Sequence, residues 1–454
     1  MCVCVCVCVC VFGIPVNTNT ISFDIRSSPI TRQQPVITVT RIMYCCHGSL
    51  TIVILLLWGV CRTSCWSFPL VSSARPYGDG DGVGHGFRSY RYNAITVVGT
   101  RLWSSLDESS TTPTNTEKMK AVRGVRDLVN DYDLFLLDMW GVMHDGSRPY
   151  EGVVEVIQKL KRAGKRMIIL SNSSKRKHDS IRMLRKLGFQ PEEDFERIIT
   201  SGEVSYQMLG GFRSTTMTTS VVWPPIRNMT DPKRAVVLGS GNDDVEYLHG
   251  CGWEIAPPSE ASLIVARGTF TIHDGVTVMD KRRDGVAGYD AALSTVLDTC
   301  AERRIPMLVT NPDKIRPDAE RPPMPGHIGD AYEAALARRH GGMDRASISD
   351  LVKRIGKPFP DVYDVSLGGN GIDKGRVCMV GDALETDVTG GTLAGIATVW
   401  VLMDGIHAPD VVGKDGTWYD AATEILTAFN GMSHETYARG RILQPDYAMP
   451  HFRW

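Results

Sequence analysis

Four consecutive apolar residues, Leu134-Phe135-Leu136-Leu137, run directly into the carboxylate of Asp138. So short and uniform a run fits a strand buried on both faces, which is a property of parallel sheets covered by helices. The residues that follow keep to that pattern. Val153–Ala163 reads as a helix closed by Gly164, Arg166–Ser171 as a second strand, and Lys177–Leu187 as a second helix closed by Gly188. Near the C-terminus the alternation resumes, with a strand at Arg376–Asp382, a helix at Asp387–Ala394 and a strand at Thr398–Met403. Between the halves lies a stretch of about 140 residues with its own α/β rhythm. It includes strands at Ala235–Gly239, Leu263–Ala266 and Met307–Thr310 and a long helix at Tyr289–Arg303. This stretch is expected to be a second domain inserted into the first. Residues 120–131 are expected to be an amphipathic lead-in helix. Gly211–Pro232 has no periodicity and reads as a loop, an insertion or a gene-assignment error, and Gln444–Trp454 as irregular.

Composition excludes several classes of partner. The formal net charge is -1 and no strong basic run occurs, so neither nucleic acid nor an anionic membrane is indicated. Of the 12 cysteines, only Cys251, Cys300 and Cys378 follow Cys65, without a CxxC pair, so the folded part is read as reduced and disulfide-free. The opening Cys-Val alternation is what a TG dinucleotide repeat encodes, which suggests that residues 1–42 are not translated and that Met43 is the start. The apolar stretch Leu50–Cys61 is short for a membrane span and has the length of a signal-peptide core. Phe68 and a segment rich in Ser, Thr, Gly and Arg follow. Together these resemble two-part presequences of plastids acquired by secondary endosymbiosis; the alternative is a cytoplasmic protein with a spurious leader. No stable membrane span is expected in the mature protein. Two sequons, at Asn172 and Asn228, are present, and a glycan on the first would block a candidate site.

Four segments carry chemistry. Asp138 ends the first strand, Ser171-Asn172-Ser173 the second, Lys357-Pro358 follows Gly356, and Gly381-Asp382-Ala383-Leu384-Glu385-Thr386-Asp387 ends a late strand. The carboxyl ends of parallel strands meet in one crevice, so groups far apart in sequence can converge there. A carboxylate, a lysine, hydroxyls and further carboxylates suit phosphoryl transfer assisted by a hard cation. Taken singly, each segment is an ordinary cap or turn. Other catalytic signatures, including the P-loop, the dinucleotide fingerprint and G-x-S-x-G, do not occur.

In this order the segments resemble the haloacid dehalogenase (HAD) superfamily, specifically class IIA, over roughly residues 125–430. Asn311-Pro312-Asp313 is similar to the cap sequence of that class, and Trp140-Gly-Val-Met-His-Asp-Gly146 to a branch with Trp at this position. The resemblance implies a HAD-like doubly wound parallel sheet core with an inserted α/β C2-type cap domain. Residues 1–118 are then a leader, 119–205 and 341–430 the two parts of the core, 206–340 the cap, and 431–454 a C-terminal tail. It further implies Asp138 as nucleophile, Lys357 as a catalytic and phosphate-binding residue, and Ser171 and Asn172 as phosphate-binding. Mg²⁺ would be held by Asp138, the Trp140 backbone carbonyl, Asp382 and Asp387, and Asn311 and Asp313 would belong to a cap substrate loop. The implied function is Mg²⁺-dependent hydrolysis of a small phosphorylated metabolite through an aspartyl-phosphate; homo-oligomerisation is left open.

One part of the family's pattern is missing. Trp140 stands where the resemblance requires a second Asp, the residue that protonates the leaving oxygen, and an indole N–H does not give up its proton at usable pH. Such acid/base help is worth roughly 10²–10⁴ in rate. Three outcomes are open: His144 or Asp145 supplies the proton, the substrate carries a good leaving group, or the protein binds a phosphorylated ligand with little turnover. An unrelated flavodoxin-like binding module is a third class of reading.

Overall fold

The computed structural model describes residues 3–11, 50–58 and most of 119–454, leaving out 212–222, 228, 230, 242, 317–320, 369–370, 413–415 and 433–442. The chain divides into two units, Met1–Pro113 and Thr114–Trp454. In the first, strands β1 (Val3–Val11) and β2 (Leu50–Trp58) pair antiparallel. The rest of the leader and the sequon residue Asn228 lie outside the described residues.

The second unit opens with β3 (Lys120–Ala121), β4 (Leu134–Leu137), β5 (Arg166–Ser171) and β6 (Arg197–Thr200). Seven strands then lie between residues 234 and 354: β7 (Arg234–Gly239), β8 (Glu254–Ile255), β9 (Leu263–Ala266), β10 (Thr271–His273), β11 (Val278–Asp280), β12 (Met307–Val309) and β13 (Val352–Arg354). The chain closes with β14 (Val377–Gly381), β15 (Ala397–Val401) and β16 (Tyr447–Met449). One sheet has the order β3-β16-β15-β14-β4-β5-β6 and every pairing in it is parallel. From β4 the chain winds outward through β5 and β6, and from β14 it winds the opposite way through β15 and β16. The reversal lies between β4 and β14, and such a switch point opens a crevice beyond the carboxyl ends of the strands.

The central strand shows why this sheet forms where it does. All four residues of β4 are fully buried. Leu134 and Leu136 join one apolar cluster with Ile168 and Met379, while Phe135 and Leu137 join another with Ile169 and Val380. Alternation of period two feeds both layers. The first cluster continues through Val204 and Leu209 of helix Ser201–Gly210 to Val237, Val265 and Leu308 of a second sheet. That sheet has the order β11-β10-β7-β9-β12-β13, with β8 beside β7, and its other face packs on helices Val286–Glu302 and Pro325–Arg339.

Four expectations change. Residues 120–131 are not a helix: Lys120–Ala121 pairs with Tyr447–Ala448, and only Val125–Asp127 makes a 3₁₀ turn. Gly124 explains the break, because a Cβ there would lie 2.5 Å from the Arg453 carbonyl oxygen. The tail is not irregular either, since β16 fills the place between β15 and β3 and Phe452 is fully buried. The second sheet continues past residue 340, because β13 pairs with β12 before the chain returns to the first sheet. The helix expected at Asp387–Ala394 is α-helical only from Thr389, and Leu384–Val388 before it is a π-helix. Within the aperiodic stretch, Trp223 is buried and its indole N–H donates to the Asp350 carbonyl at 3.1 Å. Among the described residues no helix is long and apolar enough to cross a membrane.

The tail is thus part of the core. Phe452→Ala is expected to lower stability by about 3–5 kcal/mol, the usual cost of emptying a buried aromatic site. Chemical denaturation of both proteins measures it, and a loss below about 1 kcal/mol would mean that the C-terminus is not packed as described.

Candidate active site

The crevice gathers the ends of strands from both sheets. The Asp138 N–H donates to the Val380 carbonyl at 3.0 Å, carrying the ladder one residue past β4 and setting its side chain at the mouth. Lys357 arrives from the other direction, just beyond β13, and its Nζ lies 2.8 Å from Asp138 Oδ1 and 2.7 Å from Asp387 Oδ1. Asp382 stands one residue beyond β14, where Trp400 donates its indole N–H to the Asp382 carbonyl at 3.0 Å and Ile406 its backbone N–H to Oδ2 at 2.7 Å. Asp138, Asp382 and Asp387 each present a carboxylate oxygen within 4.8 Å of the others.

Two glycines make this crowding feasible. Gly141 has φ +74°, and a Cβ on it would fall 2.2 Å from Asp382 Oδ2. Gly356 has φ +136°, and its Cβ would meet Pro312, Asn172 and Ser201 at 2.5–2.7 Å. Any side chain at either place would strain the backbone and displace the site.

Burial and like charge dominate the electrostatics. Burial raises the proton affinity of Asp138 against the pull of Lys357. Burial, helped by Asp387 and Asp138, raises that of Asp382 well above the carboxylate range. Asp387 is pushed up to about 6, chiefly by burial, with Lys357 opposing. Burial disfavours the Lys357 ammonium, but Asp138 and Asp387 outweigh it and keep the charge in place. Three carboxylates facing one ammonium leave an excess of negative charge. Asp387 Oδ1, although close to Lys357, takes no aligned hydrogen bond among the described residues. A hard divalent cation with oxygen ligands fits this donor set.

Ser171 and Asn172 end β5 beside this group. Ser171 is buried and its Oγ accepts the Ser173 N–H at 3.2 Å. The Asn172 side chain links two loops: its Oδ1 accepts the Lys357 N–H at 2.6 Å, and its Nδ2 donates to the Lys357 carbonyl at 2.9 Å and to Asp313 Oδ1 at 2.8 Å. An amide so engaged is closed to glycosylation in the folded protein. Asn311 is buried, and its Oδ1 accepts the Asp313 N–H at 2.8 Å. The sequence offered no signal for Tyr363. Its buried hydroxyl takes no hydrogen bond among the described residues, and burial with the Asp387 and Asp138 charges raises its proton affinity.

Trp140 sits on a small flap. Its ring packs over Gly146, where a Cβ would lie 2.4 Å from Trp140 Cζ2, and meets the His144 ring edge-on at 6.0 Å. Below it a cleft of about 260 Å³ is lined by Gly141, Tyr150 and Asp404 among others. His144 is fully buried, its Nδ1 accepts the Gly146 N–H at 2.9 Å, and burial lowers its pKa to about 4. Asp145 is partly exposed and lines the same cleft. Its Oδ1 accepts from the Ser147 N–H, the Ser147 hydroxyl and the Arg148 N–H, which hold the carboxyl far below its ordinary range. Neither neighbour of Trp140 is therefore built as a proton donor.

The sequence has relatives among known proteins. Residues 135–254 match the family described as haloacid dehalogenase-like hydrolase, and residues 354–428 match a second description, HAD-hydrolase-like. The chain belongs to the haloacid dehalogenase-like hydrolases. It is a phosphatase-type member of subfamily IIA, with an α/β cap inserted in a doubly wound core. It is 28% identical over 290 residues to chronophin of Mus musculus, covering 61% of this chain and 83% of that one. Chloroplastic phosphoglycolate phosphatase 1A of Arabidopsis thaliana is 25% identical over 288 residues, 61% of this chain and 70% of its own length. The 4-nitrophenylphosphatase of Schizosaccharomyces pombe is 24% identical over 285 residues, covering 60% and 84% respectively.

Because the Asp145 carboxylate is consumed by its own turn, Asp145→Asn is expected to change phosphatase turnover by less than about twofold. It should lower stability by about 1 kcal/mol through the weakened turn. Steady-state kinetics and a denaturation curve on the same preparation decide both, and a hundredfold fall in turnover would return Asp145 to the list of proton donors.

Proposed function

We propose that the protein is a Mg²⁺-dependent hydrolase of a small phosphomonoester, working through an aspartyl-phosphate on Asp138. The observation that carries this reading is the buried Asp138–Lys357–Asp387 contact at 2.8 and 2.7 Å, at the switch point of a doubly wound sheet. Asp138 would attack phosphorus, with Lys357 screening its charge from the phosphate oxygens. Ser171 and the amide of Asn172 would take further oxygens, and the inserted domain, read as residues 206–340 and reaching β13, would select the substrate. Mg²⁺ would be held by Asp138, Asp382, Asp387 and the Trp140 carbonyl, a backbone donor that does not depend on the side chain. Bound there, it supplies neutralisation of the phosphoryl oxygens. The named activities of the relatives, on phosphoglycolate and on 4-nitrophenyl phosphate, support a phosphomonoester as the substrate class.

The full-length protein is expected to hydrolyse 4-nitrophenyl phosphate with Mg²⁺ and to lose that activity in EDTA. Asp138→Asn should reduce it at least a thousandfold, within the range that covalent and metal assistance supply. Turnover by Asp138→Asn at the wild-type rate would eliminate Asp138 as nucleophile. Tight Mg²⁺-dependent phosphate binding without turnover would instead favour the second reading, a phosphate-ligand-binding protein that lacks an effective acid.

We also propose a plastid address, supported by the Leu50–Cys61 stretch, Phe68 and the basic, hydroxyl-rich segment that follows. The chloroplastic location in the name of one relative points the same way. Residues 43–118 fused to a fluorescent protein should deliver it to the plastid of a cell with a secondary plastid, and diffuse cytoplasmic signal would exclude this.

A further inference from the structure

The group that Trp140 does not provide has a candidate beside Asn172 and Lys357. Asp313 follows β12 of the inserted sheet, yet its side chain reaches the core. Its Oδ1 accepts from Asn172 Nδ2 at 2.8 Å, and that same nitrogen donates to the Lys357 carbonyl at 2.9 Å. Its backbone is held as well: Asn311 Oδ1 takes the Asp313 N–H at 2.8 Å, and Pro312 closes on Gly356, where a Cβ would be 2.5 Å from Pro312 Cδ.

Position and charge agree. An in-line attack by Asp138 places the leaving oxygen on the far side of phosphorus from β4. The loop after β12 supplies a carboxyl to this crevice from the inserted sheet, outside the β4 and β14 ends that carry the nucleophile and the other carboxylates. The charged groups acting on it are Lys357, which favours the carboxylate, and Asp387 and Glu385, which oppose it, as does Asp138 by mutual repulsion. Burial is the largest influence, and the carboxyl is pushed up to about 6. A carboxylate beside a phosphate dianion would repel it, whereas a protonated carboxyl can donate to an ester oxygen.

We propose that Asp313 is the general acid and base of this enzyme, in the role left open by Trp140. The inference rests on the phosphatase reading above. In the first step the bond from Asp138 Oδ to phosphorus forms as the bond from phosphorus to the leaving oxygen breaks. The Asp313 proton passes to that oxygen and the alcohol departs. In the second step the Asp313 carboxylate takes a proton from water as the water oxygen bonds to phosphorus. The bond to Asp138 breaks, inorganic phosphate leaves, and Asp313 is protonated again.

Asp313→Asn keeps an oxygen for Asn172 and removes the proton. With an alkyl phosphate such as glycerol phosphate it should lower kcat about a hundredfold or more, the usual worth of acid help. With 4-nitrophenyl phosphate, whose leaving group needs no proton, the first-turnover burst should stay within about threefold of wild type while the steady state slows. Adding Trp140→Asp to Asp313→Asn should recover at least tenfold of the alkyl turnover, which a merely structural loss would not allow. Equal loss of burst and alkyl turnover, without recovery in the double variant, overturns the proposal, and so does alkyl turnover at the wild-type rate in Asp313→Asn. If Asp138→Asn instead keeps full activity, the phosphatase reading falls and takes this proposal with it, so the two failures are told apart.

Discussion

A buried ammonium shared by two carboxylates organises this protein. Lys357 is almost fully buried, and removing its ammonium would leave clustered carboxylates facing one another in a poorly solvated place. The lysine does not come from the sheet that carries Asp138. It enters from β13, at the edge of the inserted sheet, while Asp138 ends β4 and Asp387 follows β14. The ion pairs therefore tie both halves of the core and the end of the inserted domain at one point. Any change in how the two sheets are set against each other is felt first at Lys357.

Asn172 extends that tie. Its one amide closes on the backbone of Lys357 from both sides and on Asp313 from a third. Buried amides so fully satisfied are rigid, because every alternative leaves a polar group without a partner. Rigidity here holds Asp313 beside Lys357. On the other wall the flap is fixed in a different way, by Trp140 packed over Gly146 and His144 buried beneath it. Where the resemblance implies an acid, this chain has a large indole that packs and cannot donate its proton. The acid function then has to be supplied by a different element or given up.

Much of the architecture was legible before any coordinates. The apolar runs that end in Asp138, Ser171 and Asp382 mark parallel strands whose carboxyl ends share a crevice, and the strand and helix limits agree to within one to three residues at most elements. The failures have local causes. Lys120–Ala121 and Tyr447–Met449 are too short to show a period, and each is a strand only because of the strands it pairs with, β16 for the first and β15 and β3 for the second. The π-helical turn at Leu384–Val388 leaves no mark in a pattern read at ordinary helical spacing.

What the sequence determined by itself was the chemistry at each strand end and the class of fold that gathers such ends, because both follow from short-range patterns of apolar and polar residues. It also shows Trp140 at the position where the resemblance implies an acid. Only the tertiary structure decided which groups meet. The hydrogen bonds of Asn172 span 185 residues to Lys357 and 141 to Asp313, and no local period encodes contacts at that separation. Burial, which makes Asp313 a carboxyl of raised proton affinity, likewise exists only once the two sheets are packed.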